Sequence, residues 1–112
     1  MRKDVAKTGG ALDLDKPIYS VAVASEILSS HPGTLMMYED LGLAIPQRTA
    51  SDYRRYTLRD MLGFDAIQRL MRWHGLNLAG ARYAIHYLQL LDAQRMPRPL
   101  ELAGIHVEHV RL

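Results

Sequence analysis

The side chains of this sequence best suited to chemistry are arginines, not nucleophiles or paired acids. Between Pro46 and Arg59 stand Arg48, Arg54, Arg55 and Arg59 against the lone acid Asp52, a local excess of three positive charges. Across all 112 residues the formal charge is only +2, so the cations are gathered rather than abundant. Eleven of the 14 basic residues are arginine, and Lys3, Lys7 and Lys16 supply the rest. A guanidinium presents a planar fork that matches phosphate oxygens and base edges, whereas an ammonium is a point charge. A GC-rich codon supply would also trade Lys for Arg, but it would not cluster them. Anion binding is the chemistry this pattern offers, with simple solvation of a loop as the competing reading.

Other chemistries are poorly provided for. His106 and His109 lie three apart with Glu108 between them, enough for two metal ligands on a helix, but no third is evident. No metal site and no cofactor are expected. The chain has no cysteine, which excludes disulfides, thiolate nucleophiles and sulfur-ligated metals, and fits the cytoplasm. Neither a nucleophile motif nor a phosphate-cradling glycine loop is present, and Asp13 and Asp15 sit where nothing would fix them, so an enzyme is not expected. Met61 and Met71 follow core spacing rather than that of a metal or haem box. No apolar run approaches the roughly 20 residues that cross a bilayer, and Met1-Arg2-Lys3-Asp4 does not lead into the apolar stretch of a signal peptide.

The elements that must position the arginines follow from periodicity and punctuation. Residues 1–16 carry mixed charge and Gly9-Gly10, and read as a flexible arm. Ile18 to Val21 suits one short strand. Ala22 to Leu28 is helix-competent, with Val23 and Ile27 on one face. Ser29-Ser30-His31 interrupts it, Pro32 opens a second helix to about Leu41, and Gly42 ends that helix in a left-handed conformation. Two short helices about a tight turn outline a helix-turn-helix. Pro46 and the turn-rich Thr49-Ala50-Ser51-Asp52 predict a hairpin between Leu43-Ala44-Ile45 and Tyr53-Arg54-Arg55-Tyr56, with a basic tip.

Thr57 and Asp60 form a capping pair for a third helix, whose core face is Met61, Phe64, Ile67 and Met71 and which stops at Gly75. Trp73, at its end, suits either a core or an interface. Asn77 caps a fourth helix running to Gln94. Leu78, Ala81, Ile85 and Leu88 make its inner stripe, and Ala84, Tyr87 and Leu91 a second one that would serve a dimer. Pro97 and Pro99 end it. Residues 17–94 thus form the domain, and 95–112 a short tail that could add a dimer contact.

Taken in order, His31-Pro32-Gly33-Thr34-Leu35-Met36-Met37-Tyr38-Glu39, Leu41-Gly42-Leu43, Pro46, Arg48-Thr49 and Arg54-Arg55-Tyr56 resemble the winged-helix domain of the MerR superfamily. The later run Gly75-Leu76-Asn77-Leu78-Ala79-Gly80 is similar to the heat-shock repressors of the HspR type. Together these motifs span about Ile18 to Leu91. The resemblance implies a mainly α fold: a winged helix-turn-helix with a small β-hairpin wing and a C-terminal helix. It implies a cytoplasmic transcription regulator, a repressor in stress response, whose homodimer binds an inverted repeat in double-stranded DNA.

Carried over residue by residue, His31 and Thr34 would face DNA at the helix start. Tyr38 would approach a phosphate, Arg54 would anchor the wing, Arg48 and Arg55 would add phosphate contacts, and Tyr56 would pack the wing onto the body. The subgroup is also associated with the DnaK chaperone as co-repressor, and contact with RNA polymerase is open.

The sequence departs from the family at two places. Met36 stands where an arginine is usual and Met37 where an aromatic or polar residue is, which offers apolar contact instead of a phosphate contact. These two methionines also support an alternative, a protein-interaction module that binds a transcription or chaperone partner. At the other end, Pro97 and Pro99 leave no room for the long coiled-coil helix and effector domain of many members. Family-type metal sensing through cysteine is excluded by composition.

Overall fold

A computed structural model describes residues 13–110. The flexible arm expected over residues 1–16 falls mostly on residues 1–12, outside the described part. Among the described residues, four helices and one small sheet make up the fold: β1 (Tyr19–Ser20), α1 (Val21–Leu28), α2 (Pro32–Asp40), β2 (Gln47–Arg48), β3 (Arg54–Tyr56), α3 (Leu58–His74) and α4 (Leu78–Ala93), with a 3₁₀ turn at Leu100–Leu102. It is mainly α with a three-stranded antiparallel sheet, a winged helix-turn-helix. Among the described residues no helix is long and apolar enough to cross a membrane.

Local chemistry sets most of the boundaries. Ser20 caps α1 by accepting from the Val23 N–H, and Asn77 caps α4 through the Gly80 N–H at 2.8 Å. At α3 the capping box is complete. Thr57 Oγ1 accepts from the Asp60 N–H at 3.1 Å, and an Asp60 carboxylate oxygen accepts from the Thr57 N–H at 3.0 Å. Gly42 and Gly75 end α2 and α3 at φ +81° and +69°, where a side chain would be strained.

The hairpin differs from the sequence expectation. Its first strand is Gln47–Arg48, after Pro46, not Leu43–Ile45. Leu43 and Ala44 turn into the core instead, and Pro46 has no N–H to give a ladder. β3 is the central strand, pairing with β2 on one side (Arg48↔Arg54) and with β1 on the other (Tyr19↔Tyr56).

The core joins all layers. Phe64, Ile67 and Leu70 of α3, Ala81, Ile85 and Leu88 of α4, and Ala24, Leu35 and Tyr56 belong to one buried cluster. Met71 packs at its margin. Of the proposed second stripe on α4, Leu91 is buried and Ala84 lies against the core. The outward stripe is Tyr83, Tyr87 and Leu90, spaced four and three. Trp73 is 69% exposed, which rules out its core reading.

The segment after α4 is part of the core. Ile105, Val107 and Val110 are buried, and Gln89 donates to the carbonyls of Val107 and Val110 at 3.1 Å. Arg98 ties the turn down, bonding both Asp92 oxygens and the carbonyls of Leu102 and Ile105. That guanidinium holds the Asp92 carboxyl below its ordinary value.

Truncating Val107 should therefore matter far more than its place beyond the last helix in the sequence suggests. We expect Val107→Ala to cost about 1–3 kcal/mol. Leu100→Ala, at an exposed site, should stay within about 0.5 kcal/mol. Urea unfolding midpoints distinguish the two.

Candidate nucleic-acid interface

α2 is built to present one face. Leu35 and Tyr38 are buried, and the Tyr38 ring packs 5.5 Å from that of Phe64. The opposite face therefore carries Gly33, Met36, Met37 and Asp40. His31 caps the helix: its Nδ1 accepts from the Gly33 N–H at 3.0 Å. An accepting Nδ1 in a neutral ring puts the hydrogen on Nε2, so the exposed His31 offers one outward donor.

The turn between α1 and α2 is held from α3. Ser29 takes φ +51°, with the Ser29 and Ser30 N–H groups returning to the Glu26 and Ser25 carbonyls as in a Schellman motif. Glycine is usual there, and a serine is strained by about 1 kcal/mol. Arg72 donates to the Ser29 carbonyl and to Ser30 Oγ, both at 3.1 Å, and Gln68 Nε2 donates to the same Oγ. These contacts fix the angle at which α2 leaves the turn.

The hairpin is locked to α2 by a single carboxylate. Glu39 of α2 accepts from Arg54 Nε at 3.0 Å and from the Tyr56 hydroxyl through its other oxygen. Its side chain is only 9% exposed, so both bonds form where water competes poorly. Tyr56 is fully buried, edge-on to Phe64 at 5.2 Å. Burial and the neighbouring Glu39 push the Tyr56 hydroxyl well above its ordinary pKa.

Pairing across the hairpin sets which arginines act together. Arg48 and Arg54 are directly opposed, so both project from one face, the face that also carries Tyr56 toward Glu39. Like charges opposed in this way repel. Glu39 offsets Arg54, while Arg48 reaches Asp52 with a bond to its carbonyl at 3.1 Å and a 3.5 Å ion pair. The Arg48–Asp52 pair is open to solvent and worth little, so a phosphate could replace it.

The sequence-derived residues divide accordingly. His31 and Met37 are exposed at the start and on the outer side of α2, with Met36 half-buried, whereas Thr34, also half-buried, lies one turn before Tyr38 on the same side of the helix as that buried ring. Arg48 and Arg54 meet on the wing. Arg55 projects from the other face, with its guanidinium on the Arg54 carbonyl. Tyr38, which the resemblance would bring near a phosphate, is 3% exposed and packs in the core, because the helix must bury one face and Tyr38 lies beside Leu35 on it. Glu39, Gln68 and Arg72 were not singled out by the sequence, since each acts through partners at least 15 positions away. A glutamate on the buried side of an otherwise apolar turn was the available signal for the first.

Comparison with known proteins decides the family. The MerR HTH family of regulatory proteins matches residues 19–88, from β1 into α4. The chain belongs to the MerR family. Over 90 residues it is 40% identical to a Streptomyces coelicolor protein that carries the name heat shock protein HspR, and the match covers 80% of this chain. It spans 59% of that relative's length. The MerR-family match includes the capped turn, α2, the hairpin and the Glu39 lock, and stops before the segment that Arg98 and Gln89 fasten.

Two outcomes follow for this MerR-family domain. Glu39→Ala should destabilise by about 1–3 kcal/mol, because the buried Tyr56 hydroxyl loses its acceptor. A double-mutant cycle with Arg54→Ala should show coupling, read by urea unfolding. Stability should also fall as pH rises above about 10, the ordinary tyrosine value, because the unfolded Tyr56 ionises while the folded one stays protonated. Tyr56→Phe should flatten that alkaline fall.

Proposed function

We propose that this chain is a DNA-binding transcription repressor that acts as a dimer on an inverted repeat. The opposed Arg48 and Arg54, held beside α2 by Glu39, are the observation that carries this reading. A helix fits the major groove, about 12 Å wide, and a basic hairpin next to it can lie on the adjoining backbone. Arg54 commits its Nε to Glu39, which orients the guanidinium and leaves its Nη edge for a phosphate. Arg48 would exchange Asp52 for a second phosphate, and the His31 Nε2–H would supply a donor at the start of α2. A role in stress response is supported by similarity to the HspR relative, and a DNA regulator would work in the cytoplasm.

The outward stripe of Tyr83, Tyr87 and Leu90 supports a dimer. Three large side chains on one helix face form an apolar surface that solvent disfavours. Two copies facing one another through it would place two α2 helices on successive half-sites.

A second reading has one observation behind it. Met37 is 45% exposed on a helix that carries no cation, which suits a transcription or chaperone partner. Arg48→Ala separates the readings better than Arg54→Ala, because Arg54 also holds the wing in place.

A fluorescence-anisotropy titration on promoter fragments, repeated over a salt series, tests the proposal. We expect binding whose logarithmic salt slope drops in magnitude by about one unit per protomer in Arg48→Ala. Absence of binding to any fragment at low salt, its own upstream region included, would overturn it. Light scattering should give a dimer mass at high micromolar concentration, and a monomer mass would remove the paired-half-site geometry.

A further inference from the structure

The cations of the wing act on the phosphate backbone, which carries no base sequence. Discrimination among bases therefore falls to α2, and its composition is unusual for the task. Pro32–Asp40 contains no Arg, Lys, Asn or Gln. Guanine presents the N7 and O6 acceptors and adenine an acceptor beside a donor, so both are read by a side chain with a fork of donors or an amide. α2 has neither. At its start His31 and Thr34 can each donate a single hydrogen bond, and beyond the first turn the outward face offers none.

That face offers something else. Gly33 keeps the first turn bare, and a Cβ there would lie 3.1 Å from the capping His31 Nδ1, so a larger residue would disturb the cap. The next outward position is Met37, 45% exposed, with Met36 half-buried beside it. Asp40, one turn on, is exposed and can only accept a hydrogen bond. A flexible, polarizable thioether is well suited to cover a methyl group, and thymine alone places a methyl in the major groove.

We infer that α2 reads thymine 5-methyl groups through Met37, so that this chain selects A·T pairs under the centre of the helix. The inference rests on the proposed DNA binding and adds the base chemistry that the outward face recognises. Burying one methyl group corresponds to about a four-fold gain in affinity.

The test uses the full chain and a duplex chosen by the protein itself. A randomised double-stranded pool is selected by binding, and the winning duplex is resynthesised with dT replaced by dU. That change removes the 5-methyl and leaves base pairing intact. Thymine should be enriched in the selected half-site, and the dU duplex should bind about four-fold more weakly for each contacted methyl. Met37→Ala should bind dT and dU duplexes equally, near the wild-type level on dU, with an unchanged melting temperature because the site is exposed. Met37→Leu should restore the difference.

Equal wild-type affinity for dT and dU duplexes would overturn the inference. So would a dT preference that persists in Met37→Ala, or a selected half-site without thymine. Binding of the pool with no sequence preference would overturn the methyl readout while leaving DNA binding in place, whereas no binding at all would remove the proposed function itself.

Discussion

A carboxylate removed from water needs partners for its oxygens, and Glu39 finds them on an element distant in sequence. One oxygen takes the Tyr56 hydroxyl and the other the Arg54 Nε, both from β3. α2 and the hairpin are thereby made one rigid unit. The constraint is stricter than an apolar contact, because hydrogen bonds have direction and an unpartnered buried charge is costly. Phe64 reinforces the unit from below, with Tyr38 of α2 on one side and Tyr56 of β3 on the other. Any rotation of the wing relative to α2 would have to break these bonds and unstack these rings together.

α3 carries the unit and sets its orientation. Its buried face supplies Phe64 and Ile67 to the core, while Gln68 and Arg72 on the neighbouring face reach up to the strained turn at Ser29. The same helix thus packs α4 and holds the turn between α1 and α2. α4 in turn leaves Tyr83, Tyr87 and Leu90 uncovered. A partner on that stripe would be connected to the turn through one continuous helix pair, a direct mechanical route between association and the pose of α2.

The electrostatics are local for the same structural reason. Ladder register places Arg48 opposite Arg54, a pairing that by itself would repel. Glu39 and Asp52 make it tolerable, the first as a fixed internal partner and the second as an exposed one that a phosphate could displace. The near-neutral total of the chain is therefore a poor guide to its surface. Arg55, adjacent in sequence, belongs to the other face, since successive strand residues alternate.

Much of this was written in the sequence, because it depends on neighbours within a few positions. Helix caps at Thr57 and Asn77, the stops at Gly42 and Gly75, the proline start of α2 and the 3.6-residue core stripe of α3 are local chemistry, and they appear where the residues require them. The ordered motifs from His31 to Tyr56 were enough to indicate the family. What the tertiary structure alone decided involves groups brought together from afar. Tyr38 was drawn into the core by helix phase, Leu43 and Ala44 left the strand for the core, and the irregular segment after Pro99 was fastened by Arg98 and Gln89. Above all, Arg54 became a positioned cation because Glu39 lies 15 residues before it and beside it in space. Spacing can show that arginines are gathered; only the packed fold determines which of them point the same way and what holds them there.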